Sequence, residues 1–139
     1  MRSKASLTLI EQVVMLLMLS VAAALCLRAF VWADTSSVAG AEQDRALLQA
    51  QSAAEILKGC RGDWEQAAKI AGGNWNGSVW QLCWDENWQE TTDDGTYILL
   101  VSPADGGLKY LSGAQVEVIK GEHVLASFMV NWQEVGGNE

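Results

Sequence analysis

The 139-residue chain holds a single proline, at position 103, one histidine and only two phenylalanines. So late a proline leaves the first hundred residues free of the strongest helix breaker. The one histidine, His123, has no acid–nucleophile constellation around it in sequence, so catalysis is not expected. No glycine-rich phosphate loop and no Cys/His metal spacing occurs. Positive charge is scarce as well: nine Lys and Arg stand against seventeen Asp and Glu, a net of −8. The deficit is uneven. Before Asp34 the charged residues are Arg2, Lys4, Glu11 and Arg28, three positive less one negative, or +2. From Asp34 onward six Lys and Arg face sixteen Asp and Glu, or −10. So acidic a domain repels nucleic acid and anionic lipid, and neither is an expected partner.

What the chain does have is a long apolar run. From Val13 to Ala33 only Ser20 and Arg28 are polar. Twenty-one residues rise about 31 Å as a helix, the thickness of bilayer hydrocarbon. Arg2 and Lys4 precede the run, which places the N-terminus in the cytoplasm and the acidic remainder outside it. Arg28 lies near the outer end, where its stem reaches the interface. Glu11 is the anomaly, because a carboxylate at the edge of hydrocarbon is costly unless a cation meets it.

Three readings compete for this segment. Val31-x-Ala33 suits a signal peptidase and would release a domain beginning at Asp34. The run, however, exceeds the roughly 7 to 15 apolar residues of such signals, and an acid sits in its charged N-terminal region. A single-pass anchor carrying an extracytoplasmic binding module explains everything except Glu11. The third reading is a prepilin-type segment.

The stretch SLTLIEQVVMLLMLSVAAAL resembles the N-terminus of type IV pilins and of the pseudopilins of type II secretion systems, with Thr8-Leu9-Ile10-Glu11 as the matching motif. The resemblance implies a leader over residues 1–6, cut by prepilin peptidase between Ser6 and Leu7, and N-methylation of Leu7. It also implies that Glu11, with Thr8 beside it, serves assembly by pairing with the N-terminal amine of a neighbouring subunit. The family prefers glycine before the cut and often has phenylalanine after it; Ser6 and Leu7 stand there instead. Many relatives also carry a proline in the first helix, which this chain lacks. The implied function is a minor pilin or pseudopilin subunit of a type IV pilus or type II secretion-like filament. Its partners would be other subunits, the peptidase and the membrane.

The expected fold is α+β: one long helix, transmembrane over 7–33 and amphipathic over 34–58, against a small antiparallel sheet of about four strands in an extracytoplasmic domain over 59–139. Leu47, Ala50, Ala54 and Leu57 recur at spacings of three and four and predict an apolar stripe, with Gly59 as the stop. Between the two halves, VWADTSSVAG offers either a bend or a new cap at Asp34 or Ser36. GDWEQAAKIAGG predicts a short helix ended by Gly72 and Gly73. After it the period changes to two, and Trp80, Leu82 and Trp84 share one strand face. GTYILLVS predicts a central strand ended by Pro103. Gly121-Glu122 predicts a two-residue hairpin whose second strand turns Val124, Ala126, Phe128, Val130 and Trp132 toward the helix.

Tryptophans also suit a sugar-stacking surface, but Trp80 and Trp84 at strand spacing favour the core, leaving Trp75 and Trp88 as the exposed ones. Cys26 reads as a small apolar filler within the span. Cys60 and Cys83 are a candidate disulfide, worth about 3 kcal/mol if the backbone geometry permits it. Some pseudopilins bind calcium, and Asp85, Glu86, Asp93, Asp94 and Asp105 cluster. Their spacing is not that of a calcium-binding loop, so turns and a solvated face account for them and no cofactor or metal ligand is assigned. Asn76-Gly77-Ser78 matches a glycosylation acceptor but reads first as a turn.

Overall fold

The computed structural model describes residues 2–92 and 94–134. Asp93, one of the clustered acids, lies outside the described residues. The chain divides into two units, Met1–Ala41 and Glu42–Glu139. The fold is α+β, as the residue pattern predicts. Helical backbone, α1, extends from Arg2 to Gly59. Asp34 and Ser36 are helical rather than caps, and the Thr35 hydroxyl donates back to the carbonyls of Val31 and Trp32.

The end of α1 differs in detail from the expected glycine stop. Gly59 is its last residue, but the left-handed position falls on Arg61, at φ 53°. Gly62 N–H donates to the Leu57 carbonyl at 3.1 Å and Arg61 N–H to that of Lys58 at 2.9 Å. That pair of bonds is a Schellman cap, with an arginine where glycine is the cheaper occupant. Asp63 then caps the next helix, α2 (Trp64–Ala71), by accepting from Gln66 N–H at 3.1 Å. Gly72 and Gly73 end α2 as expected, both at positive φ. Gly73 also has no room for a side chain, since a Cβ there would stand 2.4 Å from the Gln81 carbonyl oxygen.

Five strands follow as an antiparallel meander: β1 (Asn74–Trp75), β2 (Trp80–Trp84), β3 (Tyr97–Asp105), β4 (Leu111–Lys120) and β5 (His123–Gln133). The fifth strand, beyond the four or so expected, is the two-residue β1, too short to leave a periodic signal. Asn76 builds the β1–β2 turn, its side-chain oxygen accepting from Ser78 and Val79 N–H at 2.9 Å. Pro103 does not end β3. It pairs with Ala114 of β4 beyond the last β2 partner, Val101, where an open side tolerates the missing N–H. Gly121 at φ 59° turns β4 into β5, and Glu122 keeps a negative φ, the combination of a type II′ turn.

In the second unit, one core gathers Ala46, Ala50, Ala53, Ala54 and Leu57 of α1 with Trp80, Leu82, Trp84, Tyr97, Leu99, Val101, Val116 and Val118 of the sheet. The stripe on α1 is rotated from expectation. Leu47 is 39 % exposed, while Ala46 and Ala53 are buried. Small side chains at the contact let the helix approach large indoles, so volume matching overrides the preference for burying leucine. The β5 face is also altered at one end. The β4–β5 register shifts at Val118/Ile119, so Val124 falls on the open side, 57 % exposed, and Leu125 is half-buried. Ala126, Phe128, Val130 and Trp132 pack on the core as the alternation predicts.

Candidate functional site

Within the first unit, the apolar part of α1 has no protein cover. Every large apolar side chain from Leu7 to Trp32 shows about half or more of its surface, from 48 % at Val14 to 73 % at Trp32. Among the described residues one helix is long and apolar enough to cross a membrane. A helix so apolar and so uncovered is compatible with a membrane span.

The polar groups of this helix divide into two kinds. Hydroxyls satisfy themselves within it: Thr8 Oγ1 donates to the Lys4 carbonyl and Ser20 Oγ to that of Leu16, each at 2.8 Å. Glu11 has no hydrogen bond or ion pair to any described residue. At 100° per residue, Thr8, Glu11, Met15, Ala22, Cys26, Ala29 and Ala33 fall within about 60° of helix circumference. Glu11 therefore heads a face whose outer half is made of small side chains. Ser6 and Leu7 both lie in helical backbone at the start of this segment.

In the second unit the described residues build a clamp that local sequence patterns do not reveal. The Glu42 carboxylate, on the first turn of this unit, accepts from the Tyr97 phenol and from the Lys120 ammonium. Those partners lie 55 and 78 residues away, on the adjacent strands β3 and β4. The Lys120 hydrogen bond, then the Tyr97 one, holds the Glu42 carboxyl below its ordinary range. Burial first, and the bond to Glu42 second, push the Tyr97 phenol up. Lys120 is raised by its bond to the carboxylate. Rings extend the clamp: Trp88 stacks on Tyr97 at 4.0 Å, Arg45 lies 5.9 Å from the Trp88 ring and Lys120 5.3 Å from the Tyr97 ring. Arg45 and Glu42 are one turn apart on α1, so two adjacent side chains of the helix engage one aromatic column.

The tryptophans correct part of the sequence reading. Trp80 and Trp84 are buried as expected, and Trp80 Nε1–H donates to the Gly72 carbonyl at 2.9 Å. Trp75 and Trp88 are not exposed. Trp75 stacks on Trp64 at 4.8 Å, with Trp132 edge-on to Trp64 at 6.4 Å, and all are half-buried. Each of these stacked rings has one face covered by another ring.

Cys60 and Cys83 are free thiols. Cys60 packs against the core, whereas Cys83 alternates with the buried Leu82 and Trp84 and so faces away from it. That opposition leaves the candidate bridge unmade. Two of the clustered acids serve as local caps: Asp85 Oδ1 accepts from Asn87 and Gln89 N–H, and Asp105 Oδ1 from Gly107 N–H. The Asp85 turn also sets Trp88 at φ 60°, under Tyr97. Among the described residues no three His, Cys, Asp or Glu are grouped to hold a metal ion. His123 is exposed at the hairpin end.

No family model, no curated protein and no solved structure matches the chain.

Proposed function

We propose that this chain is a minor pilin or pseudopilin-like subunit, held first as a single-pass membrane protein and then assembled into a filament through α1. The N-terminus would be cytoplasmic and the sheet domain extracytoplasmic. Prepilin peptidase would cut between Ser6 and Leu7, and the Leu7 amine would be methylated. The mechanism is packing rather than chemistry: an apolar helix passes from lipid to a bundle of like helices. The carrying observation is Glu11, a carboxylate with no partner among the described residues, on an uncovered apolar helix. A neighbour's N-terminal amine supplies the cation that its position demands. Ala22, Cys26, Ala29 and Ala33 on the same face would let a neighbouring helix come close. The sheet domain, with its own core, would remain on the filament surface and select its contacts.

The test combines the mass of the N-terminal peptide with Glu11→Ala. A filament subunit begins at Leu7 with one added methyl, and the alanine variant inserts in the membrane but fails to assemble. An intact leader together with normal behaviour of the variant would overturn the proposal in favour of an anchored binding module. A mature chain starting at Asp34 would overturn both.

A further inference from the structure

The two edges of the sheet are treated differently. One is β1, two residues long, which offers little backbone to a stray strand. The other is β5, eleven residues long, with β4 on one side and, among the described residues, no strand on the other. Long edges are ordinarily blocked by a charge, a proline or a bulge. Residues 123–133 contain no Lys, Arg, Asp, Glu or Pro. The one bulge lies at the hairpin end, and from Ala126 to Gln133 the register runs unbroken. Beside this edge lies an open groove of about 640 Å³, formed by Leu48, Gln51, Glu55 and Lys58 of α1 against Phe128 and Val130.

We infer that the free edge of β5 is a strand-addition site for an extended segment of a partner protein, uncharged along its length and basic at its ends. The outer backbone of β5 specifies an extended backbone as the occupant, since a partner that displaces water from a row of ladder groups has to replace those bonds with a matching row of its own. Phe128 and Val130 on one face, with exposed Leu48 across the groove, specify alternate apolar side chains. Charge specifies the ends. Glu122 and Glu134 bracket β5, the groove holds both Glu55 and Lys58, and the unit from Glu42 onward sets fifteen Asp and Glu against six Lys and Arg, a net of −9. A second copy would bring those acids against their equals, while Lys or Arg at the ends of the incoming strand would meet them. The edge lies wholly in the sheet unit, so the inference stands apart from how α1 is processed or assembled.

The probe is a pair of synthetic peptides, KTVTVTVK and ETVTVTVE, with KTVPVTVK as the strand-breaking control. Full-length protein in nanodiscs is titrated into each labelled peptide and followed by fluorescence anisotropy. The lysine-ended strand should bind about tenfold tighter than the glutamate-ended one at low salt, the two converging as screening grows. Proline should abolish binding. Met129→Lys, at an exposed site on β5, should weaken the lysine-ended peptide at least several-fold. Ile70→Lys, exposed on α2, should not. Equal binding of the proline peptide, insensitivity to Met129→Lys, or a concentration-dependent dimer that excludes the peptide would each overturn the assignment.

Discussion

Trp80 offers the most direct test of how the sheet domain holds together. Its side chain is fully buried and its indole N–H bonds the Gly72 carbonyl, where α2 turns into β1. Trp80→Ala would remove about 150 Å² or more of apolar surface, which at about 25 cal/mol per Å² is about 4 kcal/mol. A domain of this size has about 5–10 kcal/mol of stability in all, so the variant should be close to unfolding. Trp80→Phe separates packing from hydrogen bonding. It keeps one ring, loses part of the area, and strands the Gly72 carbonyl at about 1–3 kcal/mol. Trp84 supplies the control, since it is equally buried but its indole makes no hydrogen bond to a described residue. Urea unfolding followed by far-ultraviolet circular dichroism gives the three values without relying on indole fluorescence. Trp80→Phe should exceed Trp84→Phe by about 1–2 kcal/mol. Equal costs would refute the role of the Gly72 bond, and a Trp80→Ala cost below about 1.5 kcal/mol would refute the core assignment itself.

The Glu42 clamp predicts a pH dependence. Glu42 is lowered from 4.5, so its contribution is present above that value and is lost as pH falls through the lower folded one. Tyr97 and Lys120 are raised from 10.0 and 10.5, so theirs are present below those values and lost as pH climbs past them. The Tm difference between wild type and Glu42→Gln should therefore be steady near neutrality and shrink below about pH 4.5. A gap that stays constant to pH 3 would refute the ionic part of the clamp. At the α1 terminus, Arg61→Gly should raise stability by about 0.5–1 kcal/mol, because φ 53° is strained for any residue with a Cβ. A loss of Tm would instead mean that the arginine side chain contributes more than its backbone costs.

Local periodicity determined much of this protein without help. A breaker-free apolar stretch can only be helix, α2 carries its cap and its terminating glycines within twelve residues, and the alternation of Trp80, Leu82 and Trp84 sorts the faces of β2. These signals are legible because each depends on neighbours a few residues away. Glu11 was legible too, since an acid in an apolar run needs no fold to stand out.

The tertiary structure decided what depends on distant partners. Ala46 and Ala53 displaced Leu47 from the core because the indoles opposite require a close, small-sided helix. A bulge moved Val124 off the packed face, and no strand reports its own register slip. Trp75 and Trp88 read as exposed until Trp64 and Tyr97 covered them. Cys60 and Cys83 could be paired on paper, but the pleat of β2 turns Cys83 away from the core on which Cys60 packs. The clamp joins residues 55 and 78 positions apart, and that β5 rather than a longer-paired strand forms the sheet's edge shows only in the strand order of the described residues. Short-range patterns fix what each segment is; which surface meets which, and which is left bare, follows only from packing the segments together.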